Sequence, residues 1–111
     1  MKLSLSTEKP DKECAVVKAQ GEIDLDSSHI LKSEIRGLLD AGYTLIVLDL
    51  GNVRFIDSSG LGALVVSLKA AAEHGSSIRL ACAQPSVEKV LKLTGLDRVF
   101  IMGASVDEAL D

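Results

Sequence analysis

The residues most able to do chemistry lie together in one short segment, Asp57-Ser58-Ser59-Gly60-Leu61-Gly62. Apolar residues recur at helical spacing from Leu61 onward, so the segment predicts the start of a helix, with Ser58 or Ser59 as its N-cap. The first turn of a helix has unpaired N–H groups and a partial positive charge. This position therefore favours an anion, although a serine before a helix can also be a cap and nothing more.

Two glycines in the same first turn need a reason. Glycine costs about 1 kcal/mol in a helix relative to alanine, and Gly60 and Gly62 both fall within the expected helix. Their missing side chains would let another protein approach the backbone closely. The glycines thus favour a contact surface over a plain helix cap.

Catalysis by a serine of this segment finds little support in the surrounding residues. The segment lacks the Gly-x-x-x-x-Gly-Lys of a phosphate-binding loop and the three glycines of a dinucleotide site. No glycine stands two residues before either serine, as a nucleophile elbow requires. A catalytic serine also needs a base, and nothing in the sequence brings His29 or His74 to Ser58. We expect no enzyme and two surface histidines, with an esterase that uses Ser58 as one alternative.

Acids and cysteines elsewhere in the chain do not form the pattern of a metal or cofactor site. Asp24 and Asp26 would point to opposite sides of an extended strand, which does not suit a metal or an acid–base pair. Cys14 and Cys82 are too few for a disulfide scaffold or a zinc site, and we expect both in the core. No metal, cofactor or catalytic residue is expected.

Composition limits the classes of partner. The 111 residues suit one domain, 1–111, with 47% apolar residues for an aliphatic core and a net charge of −4. An acidic chain without a basic stripe is a poor ligand for nucleic acid, so no direct nucleic-acid binding is expected. Apolar runs such as Leu45–Leu48 are far shorter than the roughly 20 residues that span a bilayer, and no signal peptide is visible. We expect a cytoplasmic protein with no membrane insertion.

Strand and helix patterns alternate along the chain. Apolar patterning predicts strands at 3–5, 14–19, 45–50, 78–82 and 99–101. Helical spacing and capping residues predict helices from Asp26-Ser27-Ser28 to Gly42, from the Asp57 segment to Gly75, from Pro85 to Gly95, and at Ser105–Glu108.

The order β-β-α-β-α-β-α-β-α predicts an α/β fold. A first hairpin leads into a mixed, largely parallel sheet of about four to five strands flanked by about four helices. In such a sheet, functional groups gather where strands end and helices begin. Asp24 and Ser58 should therefore share one rim, and residues 45–50, apolar apart from Asp49, should be covered on both faces.

Three motifs in this order resemble the STAS domain family, most closely its stand-alone bacterial anti-sigma factor antagonists. Asp57-Ser58-Ser59-Gly60-Leu61-Gly62 is similar to the family's phosphorylation motif, in which the serine directly after the aspartate is modified. Gly21-Glu22-Ile23-Asp24 is similar to a second signature and Leu93-Thr94-Gly95-Leu96 to a third. The motifs lie in the family's order and at its usual spacing, from residue 21 to residue 96, and all three together make the resemblance specific.

The resemblance implies a partner switch. An unmodified antagonist binds an anti-sigma factor that is also an ATP-dependent serine kinase, and the sigma factor goes free. The kinase then phosphorylates the serine, here Ser58, the complex separates, and a protein phosphatase reverses the modification. By this resemblance the partner-binding residues are Asp24, Asp57, Ser59, Gly60, Leu61 and Gly62.

The physics of a phosphate at Ser58 agrees with such a switch. The group adds about −1.5 to −2 charge, which a helix start would partly accommodate, so the change should act at an interface and not in the core. An alternative within the same family is a module that regulates a transporter or a lipid-transport complex, without a sigma factor. The identity of the partner and the choice between monomer and dimer stay open.

Overall fold

The computed structural model describes residues 2–111 and shows strands and helices in the order that the sequence predicts. The strands are β1 Ser4–Glu8, β2 Cys14–Ile23, β3 Leu45–Ile56, β4 Ser77–Ala81 and β5 Ile101–Gly103. The helices are α1 Ser28–Asp40, α2 Ser58–Glu73, α3 Pro85–Leu93 and α4 Val106–Leu110, with a 3-10 turn at Leu96–Arg98 before β5.

The five strands form one sheet in chain order, β1-β2-β3-β4-β5. β1 pairs with β2 in the antiparallel sense, as expected of a first hairpin, and each later pair is parallel. The prediction of a mixed, largely parallel α/β sheet is therefore confirmed. Ile23 lies opposite Ile56 in the β2–β3 register, so these two strands end side by side.

The two faces of the sheet are covered very unequally. Helices α1, α2 and α3 pack on one face, and their fully buried large side chains are Leu31, Ile35, Leu64 and Leu91. On the other face, Val16, Val47 and Ala81 are buried with Ala109 of the five-residue α4. Ile46 and Val47 of β3 are both 0% exposed, which confirms the prediction of a strand covered on both faces.

The strand boundaries differ from prediction at three informative places. β2 continues to Ile23 and β3 to Ile56, because pairing between them continues through polar and glycine positions across two register shifts, at each of which β3 carries one extra residue. β4 stops one residue short of its predicted end, because Cys82 has a left-handed backbone with φ +62°. β5 begins at Ile101 and not at 99, because Val99 caps the preceding 3-10 turn.

Candidate functional site

The ends of β2 and β3 form one rim of the sheet and carry the candidate residues. Because Ile23 and Ile56 are paired, the residues that follow them, Asp24 and Asp57, leave the sheet side by side. The Asp57 N–H donates to the Ile23 carbonyl at 3.2 Å. Asp57 Oδ2 accepts a hydrogen bond from the Leu25 N–H, also at 3.2 Å. The shared rim that the parallel strands predict is therefore present.

Asp57, and neither serine, caps α2. Its Oδ1 accepts from the Gly60 N–H at 2.9 Å, and its backbone carbonyl accepts from the Leu61 N–H at 2.9 Å. The prediction of Ser58 or Ser59 as the N-cap is wrong, because the aspartate has the extended backbone and the side-chain acceptor of a cap. Ser58 is instead the first helical residue; it is exposed, and its hydroxyl has no hydrogen-bond partner within residues 2–111.

The two glycines of the first turn have different surroundings. A Cβ on Gly60 would overlap the Ile23 carbonyl oxygen and lie 2.6 Å from Ile56 Cγ1. Gly60 is buried, so its missing side chain lets α2 approach the ends of β2 and β3, a contact inside the fold. A Cβ on Gly62 would meet nothing within 4 Å, and Gly62 is exposed. Of the two, Gly62 is the one whose missing side chain leaves open space beside the backbone.

Asp24 orders the turn between β2 and α1. Its Oδ1 accepts from the N–H groups of Asp26 and Ser27, each at 3.1 Å. Ser27 is the N-cap residue of α1, yet its side chain makes no capping hydrogen bond; its Oγ lies 2.9 Å from the Glu22 carbonyl oxygen. The capping expected from the side chains of residues 26–28 is therefore not made. Asp24 and Asp26 lie in a turn. The prediction that they point to opposite sides assumed an extended strand, and that assumption is wrong.

Apolar side chains accompany the exposed serine. Leu25 is 74% exposed, Phe55 49% and Val65 44%. Val65 follows Ser58 by two helical turns and Leu61 by one, so these residues share a face of α2. Leu25, Phe55, Leu61 and Val65 are called the rim patch below. No sequence pattern distinguished Leu25 and Phe55, because apolar residues at strand ends usually face the core.

The two histidines do not supply Ser58 with a base. His74 caps the far end of the 16-residue α2, which at 1.5 Å per residue is about 24 Å from the helix start. Its ring nitrogens lie 2.9 Å from the Ala70 carbonyl and 3.2 Å from Asp40 Oδ1. His29 lies in the first turn of α1, and no hydrogen bond joins it to Ser58 in the described part of the chain.

The cysteines, the possible metal ligands and the lengths of the helices bear on three further predictions. Cys14 and Cys82 are free and only half-buried, not in the core as expected, and burial raises the pKa of both thiols. Among residues 2–111, no three His, Cys, Asp or Glu side chains are placed to hold a metal ion. Over the same residues, every helix is too short or too polar to cross a membrane.

Comparison with known sequences agrees with the three motifs. A family model described as the STAS domain matches residues 6–109. A Thermotoga maritima protein provisionally named an anti-sigma factor antagonist is 34% identical over 91 residues, which cover 81% of this chain and 80% of the relative. The anti-sigma-B factor antagonist of Bacillus subtilis is 30% identical over 88 residues, which cover 79% of this chain and 80% of the relative.

Comparison with solved structures gives the same fold. The anti-sigma factor antagonist SpoIIAA in its unphosphorylated form matches with a TM-score of 0.84 at 26% identity, covering 97% of this chain and 94% of that one. The phosphorylated form of SpoIIAA, a Bacillus cell fate determinant, matches with a TM-score of 0.76 at 24% identity, covering 97% of both chains. At that lower identity, the second likeness shows the fold alone.

Proposed function

Because this chain belongs to the STAS domain family, we propose that it acts as an anti-sigma factor antagonist whose partner binding is switched by phosphorylation of Ser58. The observation that carries the proposal is the exposed Ser58 hydroxyl, unbonded within residues 2–111, in the first turn of α2. Asp57 supplies the cap, so a kinase could modify Ser58 without breaking a helix contact. The names of the relatives and the likeness to unphosphorylated SpoIIAA support the same assignment.

A phosphate on Ser58 is compatible with this fold. The group carries about −1.5 to −2 charge at neutral pH. The unpaired N–H groups and positive dipole end of α2 favour an anion at this position by about 0.3–1 kcal/mol. The neighbouring Asp57 carboxylate opposes the added charge, but it already accepts two backbone N–H hydrogen bonds. Modification would therefore change the charge of the surface and leave the core packing intact.

The rim patch gives a partner an apolar surface beside the serine. A partner packed on exposed Leu25, Phe55 and Val65 would exclude water from the start of α2. A phosphate enclosed there without a cationic partner would be desolvated and unpaired, which costs roughly 2–5 kcal/mol for a buried interface charge. This cost is the physical basis on which phosphorylation would release the partner.

The catalytic chemistry of the proposed switch belongs to other proteins. The partner is an anti-sigma factor with ATP-dependent serine kinase activity, and a protein phosphatase removes the phosphate. The present chain acts in the cytoplasm as a non-enzymatic switch and needs no cofactor of its own. While bound to the anti-sigma factor it leaves the sigma factor free.

Phosphopeptide mapping with the cognate kinase tests the modified residue. The wild type and Ser59→Ala should be phosphorylated on Ser58, and Ser58→Ala should not be phosphorylated. Ser59 is the matched control, because its hydroxyl lies in the same helical turn one residue later. Modification that persists in Ser58→Ala and vanishes in Ser59→Ala would move the switch to Ser59.

A pull-down from the source cell with the wild type and Ser58→Asp tests the partner. A histidine-kinase-like ATPase that the wild type retains and Ser58→Asp loses would support the anti-sigma factor. A transporter or lipid-transport subunit retained in its place would replace the sigma-factor role with the transport-regulating alternative. An activity screen for ester hydrolysis would settle the esterase alternative.

A further inference from the structure

A groove between helices α1 and α2 lies away from the rim patch. It has a volume of about 240 Å³ and is lined by Lys32, Ile35, Arg36, Val66, Ser67 and Ala70. Ser67 follows Ser58 along α2 by about 14 Å at 1.5 Å per residue. The groove is therefore separate from the site proposed for phosphorylation.

A buried hydroxyl in this groove has no hydrogen-bond partner. Ser67 is 4% exposed, and its Oγ is unpaired within the described residues. Serines inside helices often bond the carbonyl one turn earlier, and that hydrogen bond is not made here. Because folded proteins rarely leave a buried polar group unsatisfied, the Ser67 hydroxyl points to a ligand that would complete it.

Two cations and no acid line the same groove; the nearest acid on α1 beyond Arg36 is Asp40, one helical turn further along and outside the lining. Lys32 and Arg36 stand one helical turn apart on α1, and both are exposed. Neither forms an ion pair within residues 2–111. Like charges at this spacing destabilise a helix, and an anion between them would remove that cost. The lining of the groove thus carries two positive charges and no negative one, on a chain whose net charge is −4.

We propose that the groove binds a small carboxylate with a short apolar chain. The carboxylate oxygens would accept hydrogen bonds from the Arg36 guanidinium, the Lys32 ammonium and the Ser67 hydroxyl. The apolar chain would pack on the aliphatic residues of the groove. At about 30 Å³ per water the groove holds the volume of about eight waters, so the ligand is small. Such a ligand would bridge α1 and α2.

An NMR titration with butyrate, acetate and butanamide tests the proposal. Butyrate carries both the charge and the chain, acetate carries the charge with one methyl group, and butanamide carries the chain without the charge. We expect saturable shifts of amides around Ser67, with butyrate tighter than acetate and about tenfold or more tighter than butanamide. An equal response to butyrate and butanamide, or no saturable shift at about 100 mM butyrate, would overturn the proposal.

Three variants locate the binding and separate it from folding. Arg36→Gln should weaken butyrate binding about tenfold, and Ser67→Ala should weaken it several-fold. Lys69→Gln is the matched control, because it makes the same charge change at an exposed residue of α2 outside the groove. Ser67→Ala removes an unpaired hydroxyl, so its thermal stability should equal or exceed that of the wild type. An equal loss of affinity in Lys69→Gln would reduce the effect to net charge and refute the groove.

Discussion

The Leu25 N–H donates a hydrogen bond to Asp57 Oδ2 at 3.2 Å, which ties the start of α2 to the turn that follows β2. The same carboxylate caps α2 through the Gly60 N–H at 2.9 Å. One side chain thus holds both the serine-bearing helix and an exposed apolar residue of the rim patch. Asp57 therefore has a structural role at this rim that is independent of any contact with a partner.

Replacing Asp57 should lower the stability of the fold. Asp57→Ala removes the cap and the link to Leu25, and loss of a cap alone costs about 0.5–2 kcal/mol in the free energy of unfolding. Asp57→Asn keeps one carbonyl oxygen as an acceptor, so its loss should be smaller. Urea unfolding of the three proteins measures the difference. Equal midpoints for all three would show that the cap contributes nothing to stability.

The two glycines of the first turn should respond in opposite directions to alanine. Gly60→Ala forces a methyl group against the Ile23 carbonyl and Ile56, and such overpacking typically costs about 1–3 kcal/mol. Gly62→Ala meets open space and should gain up to about 1 kcal/mol from helix propensity. Thermal unfolding distinguishes them. If the partner approaches the bare backbone, Gly62→Ala should also bind it more weakly while remaining folded.

Charge at Ser58 should control binding and spare folding. Ser58→Asp places a negative charge at the start of α2, where the dipole favours it by about 0.3–1 kcal/mol, so the variant should fold as well as the wild type. Its affinity for the kinase partner should fall, whereas Ser58→Ala should stay bound. Aspartate carries less charge than phosphate, so it mimics the modified state only in part. Titration calorimetry decides; equal affinities of the two folded variants would exclude charge as the switch.

Asp24→Asn should leave the melting temperature within a few degrees of the wild type and weaken partner binding or phosphorylation. The amide oxygen can still accept the Asp26 and Ser27 N–H groups that hold the turn, so only the charge is lost. Asp24→Ala removes the acceptor as well and should lower stability. Unchanged binding by Asp24→Asn, with reduced stability, would confine Asp24 to the turn.

Protonation of His74 should stabilise the ends of α1 and α2. Its Nδ1 faces the Ala70 carbonyl and its Nε2 faces Asp40, and only the imidazolium can donate to both acceptors. The Ala70 hydrogen bond and then Asp40 raise the pKa of His74, while Arg36 lowers it. Because the pKa of His74 is higher in the folded state than in the unfolded chain, protonation of His74 stabilises the fold. This contribution is complete below the ordinary pKa of about 6.5, and it is lost as the pH rises through the folded-state pKa.

Unfolding measured across this pH range checks the direction of the effect. The free energy of unfolding should decline from its low-pH level in the wild type, and His74→Gln should flatten that decline. Asp40→Asn should reduce the decline without abolishing it, because the His74 ring still donates a hydrogen bond to the Ala70 carbonyl. If the contribution of His74 to the free energy of unfolding rose with pH over this range, the raised pKa of His74 would be contradicted. High salt should weaken the Asp40 part of the effect, since that pair is exposed.

The order of elements and the largely parallel sheet followed from the sequence, but the cap did not. Aspartate and serine are both good N-caps, so Asp57 and Ser58 could not be ranked from their types. The length of β3 determines which residue is the cap. Because β3 continues to Ile56, Asp57 is the extended residue directly before the helix. The length of β3 depends on its pairing with β2. The spacing of apolar residues along the sequence does not reveal such a long-range contact.

The role of Gly60 was also beyond local pattern. A glycine in the first turn of a helix predicts backbone that is open to the surface, and this is correct for Gly62. At Gly60 the space is occupied by the end of β2, which only the tertiary fold brings there. In the same way, the sequence predicted α4 as a capped helix, and Ser105 does accept from the Glu108 N–H at 3.0 Å. Its place as the main apolar cover on one face of the sheet was not predictable.

The agreement between chain order and sheet order bears on how the protein is made. Each strand finds its neighbour already synthesised, and no strand has to enter between two earlier ones, so the sheet can grow at one edge during translation. The sheet face that carries Val16, Val47 and Ala81 is different, because Ala109 of α4, which helps to cover it, is among the last residues to be synthesised. Until that helix has emerged from the ribosome, the nascent chain presents an aliphatic surface that is prone to aggregate and open to a chaperone.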